Sequence, residues 1–471
     1  MGVSTIFIAN RGEIAVRIIR AARELGLRTV QAVSAADGDM LAARLADALA
    51  NVGPAHATKS YLNKEAVVRA ALESGCDAVH PGYGFLSENA DFAQQVEEAG
   101  LVFIGPKPET IRQMGDKARA RQEAQAAGVP TVPGTEGVVA DLDTAKLEAA
   151  RIGYPVMIKA AAGGGGRGIR VARDEAELAV QFPQASGEAR AAFGDGGLYL
   201  ERFIGRARHI EVQVLGDGTR AVHLFERECS LQRRRQKVWE EAPAACLTPA
   251  QRAALCSSAV RLAERVGYRG AGTLEYLFDD ATGEFFFIEM NTRIQVEHPV
   301  TEMVTGVDLV RAMIRIAMGE PLALRQQDIA LKGHAIEARI CAEDPAADFR
   351  PSPGTVSALA VPGGLGVRFD TLLYAGYTVP PFYDSLLGKL IAHDESRTAA
   401  IARLDRALGE LTIEGLPTTA PLHRALAADP TVRAGTVHTR WLEEWLASAP
   451  LAAAPAALPA VPASPINATP A

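Results

Sequence analysis

The chain has 471 residues, 48% hydrophobic and 22% charged, and its 49 Lys and Arg against 56 Asp and Glu leave a net charge of -7. This is the composition of a globular protein long enough for about three domains, and its mildly acidic balance gives no electrostatic footprint for nucleic acid or a membrane surface. Five cysteines, an odd number without a CxxC pair, imply neither a zinc site nor a disulfide framework.

The N-terminus lacks the charged lead and apolar stretch of a secretion signal, Ile6 stands where a myristoylation motif needs Ser or Thr, and no run is long and apolar enough to cross a bilayer. A cytoplasmic protein is the expectation.

In chain order, residues 5–9 predict a short buried strand and residues from Gly12 a helix, with Ile14, Ile18, Ala21, Ala22 and Leu25 at helical spacing until Gly26. Strands at 29–33, 78–80 and 101–104 alternate with helices at 40–49, 64–74 and 89–99. The alternation predicts an α/β fold opening on a doubly wound parallel sheet over residues 1–114. ANRGEIA holds one glycine where GxGxxG needs three, which argues against NAD. PGYGFLSE follows His80 at the carboxyl end of a strand, where such sheets bind ligands. Tyr83 and Glu88 are its candidates, and a plain glycine turn is the competing reading.

A helix over 109–127 carries Lys117. A strand at 154–159, the loop AGGGGRG at 162–168 and a strand at 169–172 come next. A Walker loop runs from strand to helix and ends in Gly-Lys-Ser/Thr, whereas this loop joins two strands and predicts a flexible flap. Its glycines let main-chain N–H groups approach phosphate oxygens, and Lys159 adds a point charge. LYLERFI, 198–204, leads out of the flap with backbone that can pair with an adenine edge. His209 borders the next strand, 210–215, and by spacing alone is as readily structural as functional. Arg233, Arg234, Arg235 and Lys237, with Glu240 and Glu241 close behind, suit an anion pocket; no aromatic residues interleave to stack bases.

After a helix at 249–266, strands at 271–278 and 284–290 predict a hairpin. With Phe278 opposite Glu284, Glu275 shares a face with Glu289 and Asn291. These oxygen ligands suit Mg²⁺, and two acids across a hairpin repel each other unless a cation lies between them.

The segment FFFIEMNTRIQVEHP, 285–299, carries the densest chemistry. If it stays extended, Glu289, Asn291, Arg293, Gln295 and Glu297 project to one side and Met290, Thr292, Ile294 and Val296 to the other. The row follows the apolar run 285–288 without a break, which points into a cleft rather than to a solvated strand face. A helix beyond Gly306, a strand at 333–342 with Glu337 and Arg339, and short strands closed by helices at 399–411 and 419–428 predict a β-rich domain over 331–446. Residues 447–471, uncharged and rich in Ala and Pro, predict a tail without a fold of its own.

KAAAGGGGRGIR, HIEVQVLGD, QKVWEEAPA, FIEMNTRIQVEHPVTE, GHAIEARICAEDP and PPFYDSLLGKL, in this order and joined by ANRGEIA and HPGYGFLSEN, closely resemble the biotin carboxylase component of acetyl-CoA carboxylase and related biotin-dependent carboxylases, of the ATP-grasp superfamily. The likeness runs to about Trp445. It implies a Rossmann-like domain at 1–114, a linker helix and lid at 115–204, the ATP-grasp central domain at 205–330 and the family's C-terminal domain at 331–446.

The activity it implies is that of a ligase. ATP phosphorylates bicarbonate to carboxyphosphate, which yields CO2 and phosphate; the phosphate takes the N1′ proton of biotin, and the biotin anion captures CO2. By resemblance Glu297 deprotonates bicarbonate, held by Lys237, Arg293, Gln295 and the main chain of Val296. Arg339 stabilises the biotin enolate, and Tyr83 lies beside the biotin ring. Glu275, Glu289 and Asn291 match the ligands of Mg²⁺, or of Mn²⁺ in its place. Lys117, Lys159, Gly165, Gly166, His209 and Gln232 match the ATP contacts, and Glu201, Arg202, Phe203 and Ile204 the adenine hinge.

Three residues depart from the family pattern: Arg235 where His is frequent, Arg202 where Lys is frequent at the hinge, and Leu365 for a frequent Phe near the dimer interface. Arg20, Glu24 and Arg368 match that interface, so a homodimer is expected. No Met-Lys-Met biotinylation site occurs. Biotin is therefore expected on a separate carrier protein or domain, with a carboxyltransferase choosing the final acceptor and neither nucleic acid nor membrane as partner. A carbamoyl phosphate synthetase-like or amino-acid ligase would share the lid and the metal acids but not the Arg293, Gln295, Glu297 row with Arg339. A non-catalytic nucleotide-binding subunit would show a broken acid or lysine set, and none is broken.

Overall fold

The computed structural model of the chain describes residues 2–139, 141–160, 170–193 and 196–448. Its first strand, Thr5–Ile8, is buried along its whole length, as the unalternating sequence TIFI requires of a parallel strand covered on both faces. It is the middle strand of a parallel sheet in the order Ala48–Gly53, Arg28–Ser34, Thr5–Ile8, Ala78–His80, Val102–Phe103. Strand order reverses direction between Thr5–Ile8 and Ala78–His80, the place where ligands bind such sheets. There the two predicted loops meet: Asn10 Nδ2 donates to the carbonyls of Pro81 at 2.6 Å and Tyr83 at 2.8 Å. Gly82, at φ +63°, fits because a Cβ would fall 2.8 Å from Asn10 Nδ2.

Two predicted helices change. The helix at 40–49 shrinks to Leu41–Leu45, and Ala48–Gly53 is an edge strand whose burial alternates with period two. The helix at 109–127 is two, Pro108–Gly115 and Lys117–Ala126. Asp116 leaves helical geometry between them and its carboxylate caps the second helix, accepting from the amides of Ala118 and Arg119.

The small antiparallel sheet Arg170–Ala172, Val156–Ala160, Leu198–Arg202 packs against helices Leu142–Ile152 and Glu175–Phe193, neither of which was among the predicted elements. The glycine flap, with Gly165 and Gly166, lies outside the described residues.

The rest is built on an eight-stranded antiparallel sheet: Phe285–Asn291, Arg269–Asp279, Ala207–Asp217, Ala221–Arg233, Gln236–Ala242, His334–Cys341, Leu386–Asp394, Val367–Thr371. One continuous ladder therefore joins the 205–330 and 331–446 regions, because Gln236–Ala242 pairs directly with His334–Cys341. Helix Pro249–Arg265, opened by a Thr248/Gln251 capping box, covers one part. Helices Arg397–Glu410 and Ala420–Ala428 cover the other. The predicted tail starts inside a helix, Trp441–Ser448, and 449–471 lie outside the described residues. Among the described residues no helix is long and apolar enough to cross a membrane.

Candidate active site

The polar row of residues 289–297 reaches one cleft by a route different from the extended one predicted. The strand stops at Asn291, residues 292–297 are irregular, and Glu297 stands just before helix His298–Thr305 without a side-chain capping bond. Pro299 sits in the first turn of that helix, where a missing N–H is tolerated. Met290 and Ile294 still anchor in apolar cores. Glu289, Asn291, Arg293, Gln295 and Glu297 line a cavity of about 820 Å³ with Tyr83, His209, Gln232, Arg235, Lys237, Glu275 and Arg339. Val296, which strict alternation sends to the opposite side, lines it too, because the alternation has already ended.

The predicted hairpin register is also corrected. Phe278 pairs with Phe285, not Glu284, and a one-residue shift between Glu275 and Tyr276 then sets Glu275 directly opposite Glu289. Continued without the bulge, the pairing would face Glu275 with Ile288. Bulges beside functional sites re-aim side chains in this way.

Lys237 is the hub of the cleft. Its Nζ donates to Glu211 Oε2 at 2.5 Å, Glu297 Oε1 at 2.6 Å and Glu275 Oε1 at 3.0 Å. It is delivered by a two-residue hairpin turn, Arg234-Arg235, with φ of +49° and +65°, the left-handed pair of a type I′ turn. Arg339 donates to Glu297 Oε2 at 2.9 Å and Glu240 Oε1 at 2.5 Å. Burial disfavours an ionised Glu297, but Lys237 and Arg339 outweigh it and hold the carboxyl below the usual range. Burial likewise opposes a charged His209, and Glu275, whose Oε2 is 3.3 Å from His209 Nε2, overcomes this to hold the imidazole at about 9. Gln232 Nε2 lies 3.1 Å from His209 Nδ1. Glu88 orients Arg293 by accepting from its Nε at 2.8 Å.

Glu275, Glu289 and Asn291, the expected metal ligands, line the same cleft, with the Asn291 Oδ1 accepting from Arg293 at 3.1 Å. Asn291 Nδ2 and Gln295 Nε2 donate to Glu275 Oε1 at 2.9 and 3.0 Å, and Glu289 has Lys117 Nζ at 3.3 Å. Two carboxylates at paired positions of a hairpin, with an amide oxygen beside them, form a hard-oxygen donor set that fits Mg²⁺. His209, Glu211 and Glu275 also bring ligand atoms within 4.8 Å of one another.

The nucleotide contacts expected nearer the lid are not drawn into this cavity. Lys159 forms an ion pair with Glu201 on the small sheet, and Arg202 donates to Glu284 at 3.1 Å. The amides of Arg202 and Phe203 already bond the carbonyls of Pro133 and Pro155. None of Lys117, Lys159, Glu201, Arg202, Phe203 or Ile204 lines the cleft.

Several residues that shape the site were not predicted. Arg227, wholly buried, donates to Glu211, Gln213, Thr301, Thr273 and Gln295 at 2.6 to 3.2 Å. Lys389, also wholly buried, donates to the Val296 carbonyl at 2.7 Å and lies 3.1 Å from Glu13 Oε1, which also takes a bond from Tyr83. The signal was present. His209, Glu211 and Gln213 alternate with Ile210, Val212 and Val214 in a strand buried on both faces, and Lys389 interrupts the apolar run LLGKLIA. A polar group inside a buried strand needs a partner.

Known proteins resemble the chain over nearly its whole length. Residues 2–111 match the family model for the biotin carboxylase N-terminal domain, 116–325 that for the ATP-binding domain of the carbamoyl-phosphate synthase L chain, and 337–444 that for the biotin carboxylase C-terminal domain. The chain is 53% identical to the biotin carboxylase of Pseudomonas aeruginosa, over 94% of this chain and 98% of that one. It is 50% identical to biotin carboxylase 1 of Bacillus subtilis, over 94% and 99%. Among solved structures it resembles the biotin carboxylase domain dimer of the Hydrogenobacter thermophilus 2-oxoglutarate carboxylase, in complex with MgADP, ADP and bicarbonate. The TM-score is 0.83 at 48% identity, covering 94% of this chain and 98% of that one. The chain belongs to the biotin carboxylase family.

Proposed function

We propose that the chain is an ATP-dependent ligase that carboxylates biotin borne on a carrier protein, using bicarbonate and passing through carboxyphosphate. The observation that carries this reading is the clasp of Glu297 between Lys237 and Arg339 on the floor of the cleft. An ionised carboxylate between two fixed cations is a general base ready for the proton of bicarbonate. Lys237, Arg293, Gln295 and the Val296 main chain hold the anion. The bicarbonate oxygen, once deprotonated, attacks the γ-phosphoryl of ATP and ADP leaves. Carboxyphosphate then gives CO2 and phosphate, the phosphate takes the N1′ proton of biotin, and the biotin nitrogen attacks CO2 while Arg339 faces the ureido oxygen.

Glu275, Glu289 and Asn291 would hold Mg²⁺, which supplies positive charge to the phosphates. Lys117, Lys159, His209, Gln232 and the 201–204 segment, with Gly165 and Gly166 of the lid, would hold the nucleotide; Tyr83 would meet the biotin ring. The partners are a carrier and a carboxyltransferase. A homodimer is supported by the surface cleft lined by Arg17, Arg20, Glu24 and Arg368, by the exposed Leu365, and by the dimer of the similar carboxylase domain.

The test is ATP turnover by the purified chain with bicarbonate and Mg²⁺. Turnover is expected to be slow alone and faster with free biotin. Stimulation by ammonia or an amino acid, with no response to biotin, would reassign the chain to another ATP-grasp ligase.

A further inference from the structure

Strand Gln236–Ala242 pairs antiparallel with strand His334–Cys341, and the register places Glu240 directly opposite Glu337. Opposed residues of such a ladder project from the same face with Cβ atoms about 5 Å apart. Both side chains are wholly buried. Glu240 uses Oε1 to accept from Arg339, while its Oε2 and both oxygens of Glu337 have no hydrogen-bond partner among the described residues.

The charged groups around the pair are already committed. On the same two strands, Lys237 is shared by Glu211, Glu275 and Glu297, and Arg339 by Glu240 and Glu297. On the adjoining strand, Lys389 stands opposite Arg339 but is engaged by Val296 and by Glu13 of helix Gly12–Glu24. From the segment above, Glu297 adds a further negative charge, and His298, which burial keeps neutral, adds none. Glu337 therefore sits beside another carboxyl group with no hydrogen bond or ion pair of its own among the described residues, and the pull of Lys389 and Arg339 does not offset its burial. Two adjacent carboxyls in a buried site cannot both ionise.

We infer that Glu240 and Glu337 share one proton and together form a positioning dyad for Arg339. Glu240 aims the guanidinium at Glu297 and the cleft, and the proton keeps Glu337 from adding a third negative charge to those of Glu240 and Glu297 around Arg339. The guanidinium, less fully offset, is then available to the oxyanion of biotin, a role that rests on the function proposed above. Burial agrees with this state, pushing Glu240 up to about 7 against the pull of Arg339 and Glu337 well above the carboxylate range. The dyad titrates as a unit. One ionisation lets Glu240 grip Arg339, and the second, at higher pH, offsets the guanidinium.

The test uses the full chain and the isosteric variant Glu337→Gln, which mimics the protonated form. Biotin-stimulated ATP turnover is followed from about pH 6 to about pH 9.5. The wild type is expected to lose stimulation on the alkaline side. Glu337→Gln is expected to keep it there, with its alkaline limb displaced upward by at least about one pH unit. Coincident limbs in the two proteins would overturn the dyad.

Infrared difference spectroscopy gives a readout independent of turnover. The wild type at neutral pH should show a protonated buried carboxyl band that Glu337→Gln lacks, and an unchanged band would also overturn the inference. If Glu337→Gln does not fold, Glu240→Gln serves instead. It should raise the KM for biotin by about tenfold and shift the remaining carboxyl band, and no change in either would count against the dyad. Absence of biotin stimulation in the wild type would defeat the proposed function while leaving the infrared result to judge the dyad alone.

Discussion

Glu275 and Glu289 face each other across the Arg269–Asp279 and Phe285–Asn291 hairpin, brought into register by a single bulge. Glu275 is neutralised by Lys237 and His209, while Glu289, partly exposed, has only the exposed Lys117 among the described residues. Removing the Glu289 charge should leave the metal-free protein as stable as the wild type or more stable, by less than about 1 kcal/mol. Mg²⁺ acts in the opposite direction. In thermal unfolding, ADP with Mg²⁺ should stabilise the wild type more than ADP alone, by linkage to the bound ion. In Glu289→Gln that difference should shrink or vanish; an undiminished difference would remove Glu289 from the metal site.

Glu297→Gln should lower bicarbonate-dependent ATP turnover by about 10²- to 10⁴-fold, the range for a lost general base. Nucleotide affinity, measured by calorimetry, should stay within about twofold. Because the folded carboxyl lies below its unfolded value, the stability it contributes is present above about pH 4.3 and is lost as pH falls through the folded value. Biotin-independent turnover should accordingly show no acidic limb from this group near neutral pH. A limb there that disappears in Glu297→Gln would contradict the clasp.

Lys389→Met leaves Glu13 buried without its cation and the Val296 carbonyl without its donor. The expected cost is about 3 kcal/mol, at the low end for a broken buried pair because burial already pushes Glu13 toward its protonated form. Adding Glu13→Gln should recover most of this. Denaturant midpoints of the two single variants and the double variant measure the coupling. Strict additivity would show that the pair contributes nothing jointly.

The sequence alone determined the parallel α/β character of residues 1–114, through strands alternating with helices, and its motifs named most of the residues that gather in the cleft. It determined less where a pattern was short or shared. Ala48 and Leu49 read as the end of a helix, and 50–53 as no element, because small residues satisfy either period, and the break at Asp116 was hidden inside a helical composition. Only the tertiary structure decided which buried charges meet. Glu211, Lys237, Glu275 and Glu297 come from four separated segments, and Glu13 meets Lys389 across nearly the whole chain. Local periodicity records which face of an element is buried. The order of strands in the sheet and a one-residue bulge decide what that face meets, and neither leaves a periodic trace in the chain.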